Sequence, residues 1–365
     1  MDGPSPAFPA TGSPPPSKPH LSDLDQVATR IAYRALAEAD PDWSTVAERR
    51  VDAVWLLRFG SDRDVDVGAV DLGDGEALWD HSAMNRTETV AVGDVSLFVR
   101  RLGVGRGHHP LVVLHGGPSW DHSYLLPGLE PLATKREVLA FDQRGCGRSS
   151  RDLPITSYQP EHIVADTARL LAALGFDRVD LLGFSTGGQV AQLFVQAHPD
   201  KVRRLVLAST TAYRDFGQHL QSWPEYQQRV TTIPPTPSGL DDLEWTEHDA
   251  AASAVTAIWD LAKLPRYRHL LDQIRFSGDW LAPWQQGLLH PWRPEDPEQV
   301  LRDWGRPVLI LHGEHDMGFP IQVAHRLHHA VPNSELAVLQ AGHMAHFELP
   351  DAWSRQVAAF LDAVD

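Results

Sequence analysis

Residues 179–191 read VDLLGFSTGGQVA, an apolar run that ends in Gly183-Phe184-Ser185-Thr186-Gly187 and passes at once into a helical pattern. A strand that delivers a serine onto so tight a turn holds the serine backbone in a strained conformation. The residues two before and two after it must then be nearly free of side chain. Gly183 and Gly187 meet that demand. The turn pushes the Ser185 hydroxyl out of the sheet and sets the Thr186 amide at a helix N-terminus, where negative charge on an oxygen is favoured. The pentapeptide alone recurs by chance, and the strand before it and the helix after it supply the context it needs. Its plain reading is a Gly/Ser-rich turn closing a buried strand; partners farther along the chain argue against that.

Working outward, sheet signals begin near Glu88. Thr89–Val92 and Val95–Arg101 flank Gly93-Asp94, which predicts a hairpin. Leu111–Leu114 is a short apolar strand followed by His115-Gly116-Gly117-Pro118, and Val138–Phe141 is another, followed by Asp142–Ser149. A helix is predicted from Pro160 to Leu174, closed by Gly175, and a strand over Val202–Leu207. After residue 300 the rhythm returns at Val308–Leu311 and Leu336–Leu339 and ends in a helix near Asp351–Ala363. Apolar runs alternating with helices specify an α/β fold, a mostly parallel sheet covered on both faces. The core is thus assigned to 87–210 and 301–365. Residues 211–300 lack such runs and hold six of the twelve tryptophans, so they read as a mainly helical insert, with helical spacing from Asp249 to Lys263. Residues 1–20 are proline-rich and read as a disordered tail. An extension over 21–86 carries one helix over 21–38, a second opened by a Thr45/Glu48 capping box and running to about Leu57, and an irregular stretch over 59–86.

Composition narrows the partners. A net charge of −16 over 365 residues argues against nucleic acid, whose phosphates want clustered Lys and Arg. The one cysteine, Cys146, allows neither an internal disulfide nor a cysteine metal site. The N-terminus lacks the order of a secretory signal, and no apolar run reaches the roughly 18 residues of a membrane span. A cytoplasmic protein acting on a small molecule, with neither nucleic acid nor membrane as partner, is the expectation.

A serine hydroxyl is a weak nucleophile until a base takes its proton, and that base needs a carboxylate to fix its tautomer. In this architecture both should follow late strands. Asp316 lies just past the strand at 308–311 and His343 just past the strand at 336–339, so Ser185, Asp316 and His343 share one sheet edge. Glu314 is the competing acid and His346 the competing base; His346 is otherwise read as lining the pocket or packing behind the base. The oxyanion is assigned to the Thr186 and Gly117 amides, since Pro118 has no N–H. Phe184, Trp280 and Trp284 are expected to face substrate. The scheme needs no cofactor and no metal. Arg144 and Arg148 read as structural ties of the 142–149 loop.

From about Glu88 to Asp365 these motifs resemble the α/β-hydrolase superfamily: His115–Pro118, Asp142–Ser149, the turn at Ser185, Asp316 before Met317-Gly318-Phe319-Pro320, and Gly342-His343. The resemblance makes 211–300 a cap domain. The His-Gly-Gly-Pro and Asp-Gln-Arg-Gly-Cys-Gly-Arg-Ser pair resembles the proline iminopeptidase branch, which implies removal of an N-terminal proline whose amine is held by cap glutamates. Glu225, Glu244, Glu247 and Asp249 are the cap acids here. That branch usually carries Gly-Gly-Ser-Trp-Gly, whereas Gly183–Gly187 is similar to esterase, lactonase and C–C hydrolase relatives. The expectation is hydrolysis of a carboxylic ester, methyl esters included, of a bulky apolar or aromatic small molecule. An aminopeptidase, or a lyase or cyclase on the same fold, is the alternative.

Overall fold

The computed structural model describes residues 56–59, 65–68, 85–105 and 107–363. The chain divides into two units, Met1–Ser82 and Ala83–Asp365. In the first, Leu56–Phe59 pairs antiparallel with Val65–Gly68. This corrects two expectations, a helix running to Leu57 and an irregular stretch from 59. Val65-Asp66-Val67 alternates with period two, a strand signal that the Asp/Gly content around it obscures. The expected tail over 1–20, the helix over 21–38 and the Thr45/Glu48 capping box lie outside the described residues.

Among its described residues the second unit holds eight strands: β1 (Asn85–Val92), β2 (Val95–Leu102), β3 (Leu111–Leu114), β4 (Val138–Phe141), β5 (Val179–Phe184), β6 (Val202–Ala208), β7 (Val308–Gly313) and β8 (Ser334–Leu339). Their spatial order is β1-β2-β4-β3-β5-β6-β7-β8. The β1–β2 and β2–β4 pairs are antiparallel and the others parallel. Every residue of β3, β4, β5 and β7 is buried, because helices cover both faces, and this is why their sequences are unbroken apolar runs. Successive residues still go to opposite faces. Val112, Leu114, Leu139 and Phe141 join one core cluster, and Leu111, Val113, Val138 and Ala140 join the other.

The helices that matter below are α1 (Pro160–Ala173), α2 (Thr186–Ala197), α3 (Asp242–Ala252), α4 (Leu264–Leu271), α5 (Pro297–Trp304), α6 (Ile321–Ala330) and α7 (Pro350–Asp362). Phe194 of α2, Leu170 of α1, Leu301 of α5 and Leu327 of α6 pack into the first cluster; Trp353 and Phe360 of α7 pack into the second. The insert between β6 and β7 contains only short helices among its described residues. The helix expected over 249–263 breaks at Ser253 and again at Ile258, whose backbone is extended (φ −116°, ψ 150°).

At the end of β5, Ser185 adopts φ 55° and ψ −125°, a strained conformation for a non-glycine residue. The space around it is closed. A Cβ on Gly183 would lie 2.5 Å from Gly187 O, one on Gly116 would lie 2.7 Å from Ser185 Cβ, and one on Gly187 would overlap the carbonyls of Leu114 and His115. Gly187→Ala is therefore expected to lose about 3 kcal/mol in denaturant unfolding, since backbone carbonyls cannot move aside. Gly217→Ala, where nothing lies within 4 Å, should stay within about 0.5 kcal/mol of wild type.

Candidate active site

Parallel strands all end at one edge of a sheet, so the loops that follow them converge there. Ser185 follows β5 directly, Asp316 comes three residues after β7, and His343 four after β8. The structure brings the three into one chain of hydrogen bonds. Ser185 Oγ lies 3.1 Å from His343 Nε2, and His343 Nδ1 lies 2.9 and 3.0 Å from the two Asp316 oxygens. A carboxylate can only accept, so Nδ1 carries the proton and Nε2 is left to accept from the serine hydroxyl.

Asp316 is fully buried, which opposes its charge, yet its pKa is held below the ordinary carboxylate value. The neighbouring His343 and the hydrogen bonds it accepts outweigh the burial. Its Oδ1 accepts from the amides of Gly318 (2.7 Å) and Phe319 (2.8 Å). His312 Nε2 donates to Phe319 O at 2.7 Å and lies 3.4 Å from Asp316 Oδ2. The competing acid Glu314 is exposed.

Gly117 and Thr186 are tied together by the Thr186 hydroxyl, which donates to Gly117 O at 2.9 Å. The Gly116 amide is already committed to the Tyr124 hydroxyl at 2.8 Å. The Gly117 and Thr186 amides have no protein acceptor among the described residues. Both therefore remain free to donate, and Gly117 lines the same cavity as Ser185.

A cavity of about 260 Å³ opens on Ser185, His343 and Gly117. Trp120, Tyr124, Phe184, Met317 and Met344 supply an apolar wall, and Ser253, Thr256, Ala257 and Tyr267 of the insert close the other side. Phe184 is thus where the sequence reading puts it. Trp280 and Trp284 are not, which corrects the reading, and His346 does not line the cavity but takes the other place read for it, behind the base. Trp280 is buried away from the cavity, packed on Tyr158 and Trp292 and donating to Arg144 O at 2.9 Å. Trp284 is 60% exposed, against Trp245. His346 is sealed behind Phe184 and Tyr124. The lining residues that sequence reasoning missed have a partial signal. Met317 and Met344 adjoin Asp316 and His343, and Trp120 and Tyr124 closely follow Gly117 in the chain. Tyr267 has none.

The loop over 142–149 is a structural knot. Arg144 donates to both oxygens of Asp166 at 2.7 and 2.9 Å, and burial pushes the Cys146 thiol up, away from reactive thiolate. A roomier groove of about 820 Å³ lies where α2 meets the two ends of the insert; Ser185, Asp316 and His343 do not line it.

The profile of a family described as alpha/beta hydrolase fold matches residues 109–350, and the chain belongs to that family. It is 30% identical over 288 residues to a 2-hydroxy-6-oxo-2,4-heptadienoate hydrolase of Pseudomonas putida, covering 76% of this chain and 96% of that one. A proline iminopeptidase of Lactobacillus delbrueckii subsp. bulgaricus is 29% identical over 269 residues, covering 69% and 89%. Among solved structures, a thermophilic esterase from Thermogutta terrifontis superposes with a TM-score of 0.59 at 20% identity, covering 76% of this chain and 98% of that one, a likeness of fold.

Three buried histidines near the site stay neutral. Burial lowers the pKa of His115, of His312 and, down to about 3, of His346, where the charge of His343 adds to the effect. His346 Nε2 donates to Tyr124 O at 3.1 Å, so its Nδ1 is unprotonated. In the unfolded chain each titrates near 6.5. Below that pH the unfolded state binds the additional protons, so the stability these groups contribute is complete above 6.5 and is lost as pH falls. Each adds a slope of up to about 1.4 kcal/mol per pH unit. Urea unfolding at pH 7 and pH 5 should show a clear loss of stability in wild type and a smaller one in His346→Gln. An equal loss in both would contradict the neutral assignment of His346.

Proposed function

We propose that this protein is a serine hydrolase that cleaves a carboxylic ester, with a compact, uncharged, apolar or aromatic acyl group, through an acyl-enzyme. The observation that carries this reading is the Ser185–His343–Asp316 chain opening onto a cavity whose described lining has no carboxylate, lysine or arginine. A volume of about 260 Å³ narrows the expected bulky substrate to one whose enclosed part is compact.

In this reading His343 Nε2 takes the Ser185 proton as Oγ attacks the ester carbonyl. The Gly117 and Thr186 amides stabilise the oxyanion, and buried Asp316 balances the imidazolium. Collapse breaks the ester C–O bond, and His343 returns the proton to the departing alcohol. Water, deprotonated by His343, then attacks the acyl carbon; the acyl–Oγ bond breaks, His343 returns the proton to Ser185 Oγ, and the carboxylic acid leaves.

The aminopeptidase alternative needs a carboxylate to hold a substrate amine. Glu225 pairs with Arg229 at 2.8 Å, Glu244 caps α3 together with Asp241, and none of Glu225, Glu244, Glu247 and Asp249 lines the cavity. A heptadienoate, the acid named for the Pseudomonas relative, would want a cation that the described lining lacks.

The reading is tested with 4-nitrophenyl and methyl esters of acetic, butyric and benzoic acids beside proline and alanine 4-nitroanilides. Ester turnover should fall at least about 10⁴-fold in Ser185→Ala and in His343→Ala, whereas the anilides stay inert. Proline-selective anilide cleavage that stops when the amine is blocked would overturn the substrate class. Ester turnover retained in Ser185→Ala would overturn the nucleophile.

A further inference from the structure

Glu348 ends the short helical turn Ala345–Glu348 that follows His343. It is 5% exposed, and its carboxylate has no cation within salt-bridge distance among the described residues. A buried carboxylate is tolerated only when its oxygens are hydrogen-bonded. Here they accept from backbone amides alone: Gly342 at 2.6 Å, Trp259 at 3.0 and 3.1 Å, and Asp260 at 2.8 Å. Gly342 immediately precedes His343, whereas Trp259 and Asp260 belong to the insert.

The same piece of insert is gripped from its other side. Arg229 donates to the carbonyls of Val255 (2.9 Å), Ile258 (2.8 Å) and Trp259 (3.0 Å), and its guanidinium sits 4.8 Å from the centre of the Trp259 ring. With its carbonyls held by Arg229 and its amides by Glu348, the turn at Ile258–Asp260 is extended rather than helical. Its approach to the histidine loop leaves no room: a Cβ on Gly342 would lie 2.7 Å from Trp259 N. Met344 N donates to Ala257 O at 3.0 Å on the far side of His343. Thr256 and Ala257, just before the turn, line the cavity. The substrate-facing wall, the extended turn and the loop carrying His343 thus form one hydrogen-bonded unit, with Glu348 at its centre.

We propose that Glu348 is a positioning residue that seats the Ile258–Asp260 turn of the insert on the Gly342–His343 loop. Through that seat, the fit of the cavity wall and the alignment of His343 Nε2 on Ser185 are coupled. The proposal rests on the reading of His343 as the base. It adds that the base is held from the insert side as well as by Asp316. A carboxylate suits this task because both oxygens accept, so it can hold two chain segments at once; an amide has one acceptor and turns an NH₂ toward an N–H.

The test compares wild type, Glu348→Gln, Glu348→Asp and Arg229→Gln in three measurements. These are the rate at which a fluorophosphonate probe labels Ser185, kcat and KM on a 4-nitrophenyl ester, and the downfield proton resonance of His343 Nδ1–H, which needs no substrate. Glu348→Gln should label at least tenfold more slowly, with kcat falling more than KM rises and the Nδ1–H resonance shifted or broadened. Glu348→Asp should recover part of the rate, and Arg229→Gln, which loosens the turn from the other side, should slow labelling in the same direction. A folded Glu348→Gln with wild-type labelling rate, kcat and resonance would overturn the proposal. If Glu348→Gln does not fold, a wild-type labelling rate and resonance in Arg229→Gln would overturn it instead. If wild type itself is not labelled at Ser185, the hydrolase reading fails, and the His343 resonance still decides whether Glu348 positions that ring.

Discussion

The structure depends on one backbone conformation, that of Ser185 at φ 55° and ψ −125°. A serine has no intrinsic reason to sit there, so surrounding packing must hold it. The turn is so tight that Gly116, Gly183 and Gly187 approach at distances where no Cβ fits. This contact joins the loop after β3 to the start of α2, which requires β3 and β5 to be neighbours, as their register from Leu111–Asp180 to Leu114–Gly183 makes them. Because the other strands from β3 to β8 run parallel to these, the loops bearing Asp316 and His343 arrive at the same edge.

Charge at the site is placed by hydrogen-bond supply. Asp316 is as buried as His312 and His346, but it accepts from two amides and from His343 and so keeps its charge below the ordinary pKa. His346 has one carbonyl partner and an apolar surround, and burial keeps it neutral. The contrast explains how two histidines three residues apart can differ: His343 reaches both the serine and a buried anion, whereas His346 packs as an aromatic ring between Tyr124, Phe184 and Trp353.

Much of this was legible in the sequence, for physical reasons. Strands buried on both faces must be apolar throughout, so β3, β4, β5 and β7 stand out, and residues just past their ends fall at one edge by topology alone. Gly117, Ser185 and Asp316 follow such strands, Thr186 adjoins Ser185, and His343 follows the half-buried β8, whose apolar run Leu336–Leu339 still marks it. Helix α6 was faint, since its buried face is only Val323, Ala324 and Leu327 among histidines. The hairpin at 56–68 was hidden by Asp and Gly. In the insert, tryptophan content does not say which face a side chain takes: Trp280 became core and Trp284 surface, and the cavity took Tyr267 instead. The break at Ile258 is set by Arg229 and Glu348, which lie 29 and 90 residues away in the chain and leave no local trace.

In the proposed reaction an acyl group passes through Ser185. The most direct measurement is rapid acid quench of wild-type protein turning over a 4-nitrophenyl ester, followed by peptide mass analysis. A transient mass gain equal to the acyl group is expected on the peptide that contains Ser185. Steady ester turnover with no adduct on that peptide at any quench time, or with the adduct on another residue, would contradict it.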